Sequence, residues 1–179
     1  FLDGGRLTTE VTDRFEAIEE LFLVAGQGEV PEGRYEFREG SLSYTSSAAR
    51  PISGEIRLSG GGFYHGDRKS ATLGGNWRPS HHFALNLRVQ RNEISLPGSD
   101  FTADVFGTRL DFAASTRLFL SAFLQYNSAT EEAVTNVRLN FLHSPLSDLF
   151  LVYSERRDVN DDRVQERNVT LKVTKLFSF

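Results

Sequence analysis

A chain of 179 residues with 39% hydrophobic content can bury one sizeable core, and no run in it approaches the ~20 consecutive apolar residues of a spanning helix. The formal net charge of −4 points to neither nucleic acid nor an acidic surface, and the absence of cysteine removes disulfides, thiolate metal sites and thiol nucleophiles together. Methionine is also absent, and the opening FLDGGRL lacks the basic start and apolar core of a signal peptide, so the expectation is a mature or partial product whose natural start lies upstream.

Along the chain one pattern repeats, the period-two alternation of a strand with one apolar and one polar face. The first two strands, near 7–18 and 34–47, are the least regular, and REGSLS at 38–43 is expected to hold a bulge. Strands near 52–64 and 68–78 follow; in the second, Ala71, Leu73, Gly75 and Trp77 oppose Ser70, Thr72, Gly74 and Asn76. Near 81–92, Phe83, Leu85, Leu87 and Val89 alternate with Ala84, Asn86, Arg88 and Gln90. Strands near 101–113 and 116–127 come next, the latter carrying Phe119 and Phe123 on its second face. Near 133–143, Thr135, Val137, Leu139 and Phe141 oppose Asn136, Arg138 and Asn140, and two more strands fall near 148–156 and 166–179.

The connections alternate between long and short. EELFLVAGQGEVPEG at 19–33, NEISLPGSD at 92–100 and RRDVNDDRVQ at 156–165 read as long, whereas SAARP at 47–51, RPSH at 78–81, AST at 114–116 and HSPLS at 143–147 read as short. About ten amphipathic antiparallel strands of ~9–11 residues with one-sided long loops fit either a soluble sandwich or a membrane barrel. The last strand decides for the barrel. Val169, Leu171, Val173, Phe177 and Phe179 share a face, opposite Asn168, Thr170, Lys172, Thr174 and Ser178, although Lys175 and Leu176 break the alternation. This strand resembles the C-terminal signal by which outer-membrane barrels are recognised by the barrel-assembly machinery. The expected fold is therefore all-β, an antiparallel up-and-down transmembrane β-barrel of about ten strands, or the C-terminal part of a larger one, spanning 1–179.

A wider set of pieces carries a second resemblance: VPEGRYEF, SSAARPISGEIRLSGGGFYHGDRKS, NWRPSHHFALNLRVQRNEISLPGSDF, LFLSAFLQYNSATEE, NVRLNFLHSPLSDLFLVYSERRD and RNVTLKVTKLFSF. Their order is similar to the C-terminal barrel region of a bacterial family with a secreted N-terminal domain like family-nine carbohydrate-binding modules. The resemblance implies an outer-membrane location with a periplasmic C-terminus, an upstream domain and further strands, and no catalytic residues. Outer-membrane lipid, lipopolysaccharide, the assembly machinery and other envelope proteins are the expected partners; nucleic acid is not.

Parity then gives an expected pore lining. Arg57, Arg88, Arg109, Arg138 and Lys172 fall on the polar face against Glu55 and Asp111, which predicts a cationic lumen favouring anions. The first function expected is a pore or passage scaffold. A plugged structural or docking component of an envelope complex is the alternative, and a surface hydrolase using His65, Asp67, Asp158, Asp161 and Asp162 is the third. SGGGFYHG resembles a phosphate loop but is followed by strand, so Gly60, Gly61 and Gly62 read as closely packed wall. His81, His82 and His143 sit in short turns as solvated residues, Trp77, Tyr126, Tyr153, Phe177 and Phe179 read as a belt near strand ends, and no cofactor or metal is expected.

Overall fold

The computed structural model describes residues 4–144 and 146–176. Among them the chain forms strands only: β1 (Arg6–Ile18), β2 (Phe22–Val24), β3 (Gly28–Val30), β4 (Gly33–Thr45), β5 (Ile52–Phe63), β6 (Gly66–Ser80), β7 (Phe83–Leu96), β8 (Ser99–Ala113), β9 (Leu118–Asn127), β10 (Glu132–Ser144), β11 (Ser147–Asp158) and β12 (Val164–Thr174). Each long strand grows from the alternation described above, because residues at i and i+2 share a face and an unbroken period keeps that face of one character.

Ten strands hydrogen-bond in the order β1-β4-β5-β6-β7-β8-β9-β10-β11-β12, and β2 and β3 form a separate two-stranded sheet. Among the described residues the ladder starts at β1 and stops at β12. It is an open sheet, which corrects the expected closed transmembrane barrel: alternation specifies which face a residue takes, but not whether the first strand meets the last. Among the described residues no helix is long and apolar enough to cross a membrane.

The connections correct the loop argument as well. β7 runs to Leu96 and β8 begins at Ser99, so the supposed long loop at 92–100 is a two-residue Pro97-Gly98 turn, with Gly98 at φ +85 as the position after proline in a type II turn requires. Tyr64 and His65 form another two-residue turn, and the 156–165 segment contracts to 159–163. The 19–33 segment is largely the β2–β3 hairpin, whose turn places Ala25 and Gly26 at φ 52 and 72 while Gln27 N donates to Val24 O at 3.0 Å. The bulge expected at 38–43 is absent, since the β1–β4 register is continuous from Arg6↔Thr45 to Ile18↔Gly33. Register shifts fall instead at Leu142/Ser144 and Arg156/Arg157. Tyr153 lies in the middle of β11, away from a strand-end belt. Phe177 and Phe179, two of the five residues of the expected assembly signal, lie outside the described residues.

The chain divides into two compact units. The first comprises residues 1–75, 88–106 and 127–130, the second 76–87, 107–126 and 131–179. In the first, an apolar core lies where the β2–β3 hairpin covers a sheet face: Val30, Ile94 and Leu96 are buried, packed by Ile18, Phe22, Tyr35, Tyr64 and Phe101. Gly28 lets the hairpin settle there, because a Cβ would come 2.6 Å from Leu96 Cδ1 and 2.9 Å from Phe101. Among the described residues the buried hydrophobic side chains are few: Val30, Ile94, Leu96 and Ala103.

Candidate functional site

The register sorts the side chains of each unit onto two faces. In the first unit Leu7 stands opposite Tyr44 and Tyr44 opposite Ile56; Thr9 stands opposite Leu42 and Leu42 opposite Leu58. Leu7, Leu42, Ile56 and Leu58 are all exposed, as are Val11 and Leu73. The rows end on an ion pair, Arg38 Nε to Asp13 Oδ1 at 2.6 Å, with Phe15 one position further along the same face. In the second unit Leu139, Leu151 and Leu171 form one row, Val137, Tyr153 and Val169 the next, and Phe141, Leu149 and Val173 a third. There too the apolar rows run into charge, at the directly opposed pair Glu155 and Arg167.

Outside the hairpin core, the other face is polar. In the first unit Glu39 is its hub. Ser59 Oγ donates to Oε1 at 2.8 Å, Arg68 Nη2 donates to Oε2 at 3.0 Å, and Arg14 Nη2 lies 3.8 Å away. Burial pushes the Glu39 carboxyl up, but Ser59, Arg68 and Arg14 together hold it below the usual carboxylate range. Arg57 donates to Glu10 at 3.2 Å and to Ser41 at 2.9 Å. The Tyr64 hydroxyl donates to Glu16 at 2.9 Å, and burial followed by that carboxylate pushes the phenol up.

In the second unit the polar face opens into a cleft lined by Arg78, His82, Asp111, Phe119, Ser121, Arg138 and Asn140, among others. His82 is locked to β8 in two ways: Ala113 N donates to His82 O at 2.8 Å, and His82 Nδ1 lies 2.7 Å from Ala113 O. A carbonyl accepts only, so Nδ1 is the donor in this contact. Asp111 accepts from Ser121 Oγ and, at 3.0 Å, from Arg109 Nε. Burial pushes its carboxyl up, while Ser121 and Arg109 overcome that and lower it.

The residues expected to line a pore thus have individual surroundings. Arg57 reaches Glu10 rather than Glu55 two residues away, Arg109 pairs with Asp111, and Arg138 lies 5.3 Å from the Phe150 ring centroid. Arg88 and Lys172 are exposed strand residues. Of the five residues of the suggested hydrolase rim, Asp161 pairs with Arg163, Asp162 with Arg157, and Asp158 accepts from Asn160 N. Among the described residues no group of three His, Asp or Glu side chains is placed to hold a metal ion. Of Gly60, Gly61 and Gly62, Gly61 meets a neighbour most closely: a Cβ there would fall 2.2 Å from Arg38 O.

No protein-family model matches the chain, and no curated protein matches it. The resemblance to a bacterial outer-membrane barrel family is thereby corrected. The open ladder removes the other support for a porin-like pore, for its plugged structural variant and for an outer-membrane location. What sequence reasoning did not single out are Glu39, a hub fed from β1, β5 and β6, and the cleft around Asn140 and Ser121. Their partners lie 10 to 29 residues away along the chain, beyond the reach of a local pattern.

Proposed function

We propose that this chain is a lipid-binding module rather than an enzyme, laying the apolar sheet face of each unit against acyl chains while the polar face stays in water. One observation carries the reading: rows of exposed aliphatic side chains such as Leu7, Leu42 and Leu58, or Leu151 and Leu171, stand on a sheet whose buried core is four residues among those described. Each large apolar side chain removed from water contributes roughly 1.5–3 kcal/mol, so an unfilled face of this extent favours a hydrocarbon occupant.

Two features favour acyl chains over a protein partner. A protein interface centres on aromatic and arginine anchors within a polar rim, whereas these rows are mostly Leu, Val and Ile. They also end on opposed charges, Asp13 with Arg38 and Glu155 with Arg167, where a lipid headgroup meets water. Among the described residues the outer edges of β1 and β12 have no strand partner, and unpaired backbone is costly inside hydrocarbon. The reading is therefore of chains laid on a face, lipopolysaccharide acyl chains included, and not of a sheet crossing a bilayer.

Trp77 tests it directly, because it is the sole tryptophan, sits exposed beside Phe83 at 5.6 Å, and shares a face with Leu73. Phosphatidylcholine with brominated acyl chains should quench Trp77 fluorescence and shift it to the blue. Unquenched fluorescence at saturating lipid overturns the reading. A concentration-dependent dimer without a lipid response would assign the apolar face to a second copy of the chain.

A further inference from the structure

We propose that the polar-face cleft of the second unit binds a small hydroxylated aromatic carboxylate, with Arg138 holding the carboxylate, Asn140 the hydroxyl and Phe119 the ring. The cleft has a volume of about 470 Å³, within the size of small-molecule sites, and combines an apolar lining with a few convergent polar groups.

Three unmet requirements define the ligand. The first is charge. Asp111, the carboxylate in the cleft, already accepts from Ser121 and Arg109. Among the described residues Arg138 has no ion-pair partner; its guanidinium rests over Phe150, leaving its fork of donors for a planar oxyanion. The second is a donor. Asn140 Oδ1 is buried without a hydrogen-bond partner among the described residues, and an unsatisfied buried acceptor is costly until a hydroxyl reaches it. Arg138 and Asn140 are i and i+2 on one face of β10, so their side chains stand ~7 Å apart at their bases. The third is the Phe119 ring, which lines the same cleft from β9 and favours a stacked aromatic.

A rigid ring with a carboxylate and a hydroxyl at opposite ends meets all three. Phosphate matches only the charge, and a fatty acid offers no donor to Asn140. The site is separate from the apolar rows, because Arg138 and Asn140 alternate with Val137, Leu139 and Phe141.

The experiment is calorimetric titration of the full chain with 4-hydroxybenzoate, benzoate and 4-hydroxybenzamide. Saturable binding of 4-hydroxybenzoate is expected, with benzoate and the amide each about tenfold weaker, since a hydrogen bond to a buried orphan and a charge-assisted pair are each worth that factor or more. Arg138→Gln should remove the preference for the acid over the amide, and Asn140→Leu the preference for 4-hydroxybenzoate over benzoate. Arg138→Lys, which keeps the charge and loses the fork, should fall between. Circular dichroism and thermal denaturation report whether each variant folds. Absence of saturable binding by the folded chain, or equal affinity for acid and amide, overturns the proposal.

Discussion

Arg167 of β12 stands directly opposite Glu155 of β11, and its Nε donates to Glu155 Oε2 at 2.8 Å. The Tyr153 hydroxyl donates to the same oxygen, and Arg157 Nε donates to Oε1 at 3.1 Å. The Tyr153 hydrogen bond first, then Arg167 and Arg157, hold the carboxyl at about 2 against an ordinary 4.5. This cluster fastens the last described strand of the ladder to its neighbour.

Its pH dependence has a definite sign. The folded value lies below the unfolded one, so the stabilisation is present in full above about 4.5 and is lost as pH falls toward about 2. A carbon-13 titration of the Glu155 carboxyl should show a midpoint near 2, moving upward in Arg167→Gln. An ordinary midpoint in the unaltered chain would mean that β12 is not held this way in solution.

Glu39 and Arg68 should be coupled. Their contact at 3.0 Å is largely shielded from water, and Glu39 also holds Ser59. A double-mutant cycle with Glu39→Ala and Arg68→Ala should return an interaction energy of about 0.5–3 kcal/mol, against less than ~1 kcal/mol for the exposed Asp13–Arg38 pair. Arg68 also packs 4.6 Å from the Phe63 ring centroid, so Arg68→Ala alone should cost more than the coupling energy. Equal coupling in the two pairs would show that burial does not strengthen the Glu39 hub.

The strands were legible because their cause is local: Phe83 to Val89 or Val169 to Val173 alternates within reach of a single strand, and β6, β7 and β12 lie close to where the alternation places them. Closure was not legible, since an open sheet and a barrel present the same period to each strand. The β2–β3 hairpin escaped because three residues per strand are too few to show a period, and the Gly and Pro around it read as loop. The pairing of charges was legible only over short reach. Arg109 and Asp111, two apart on one strand, do meet, but Arg57 takes Glu10, 47 residues away, over Glu55. The cleft was the least legible part, because Phe119 looked like an irregularity in β9 until β10 brought Arg138 and Asn140 beside it.

Two glycines should respond oppositely to alanine. A Cβ at Gly61 would meet Arg38 O at 2.2 Å and the Glu39 Cα at 2.8 Å, backbone atoms that cannot swing aside. Gly75 has nothing within 4 Å. Gly61→Ala should destabilise by ~1–3 kcal/mol or more, as forced overpacking does, and Gly75→Ala should be neutral or mildly stabilising. Thermal denaturation of both variants checks this; similar behaviour would mean that β4 and β5 do not approach each other so closely.

The last prediction concerns the hairpin that makes the first unit's core. Val30 is fully buried between Ile94, Leu96 and the ring of Phe22, Tyr35, Tyr64 and Phe101. Val30→Ala removes two methyl groups, worth roughly 0.8 kcal/mol each before the cavity left behind is counted, so a loss of about 2–3 kcal/mol is expected. Val30 is the one fully buried side chain of the hairpin among the described residues, with Phe22 and Val24 packed only partly buried beside it; the ladder is three residues long and Leu23 is exposed. The loss should therefore appear as local opening rather than as uniform weakening. Amide exchange in β2 and β3 should rise toward loop rates in Val30→Ala, while the β10–β12 ladder keeps its protection and Leu23→Ser changes neither. Unchanged exchange in β2 and β3 would show that the hairpin is anchored by something other than Val30.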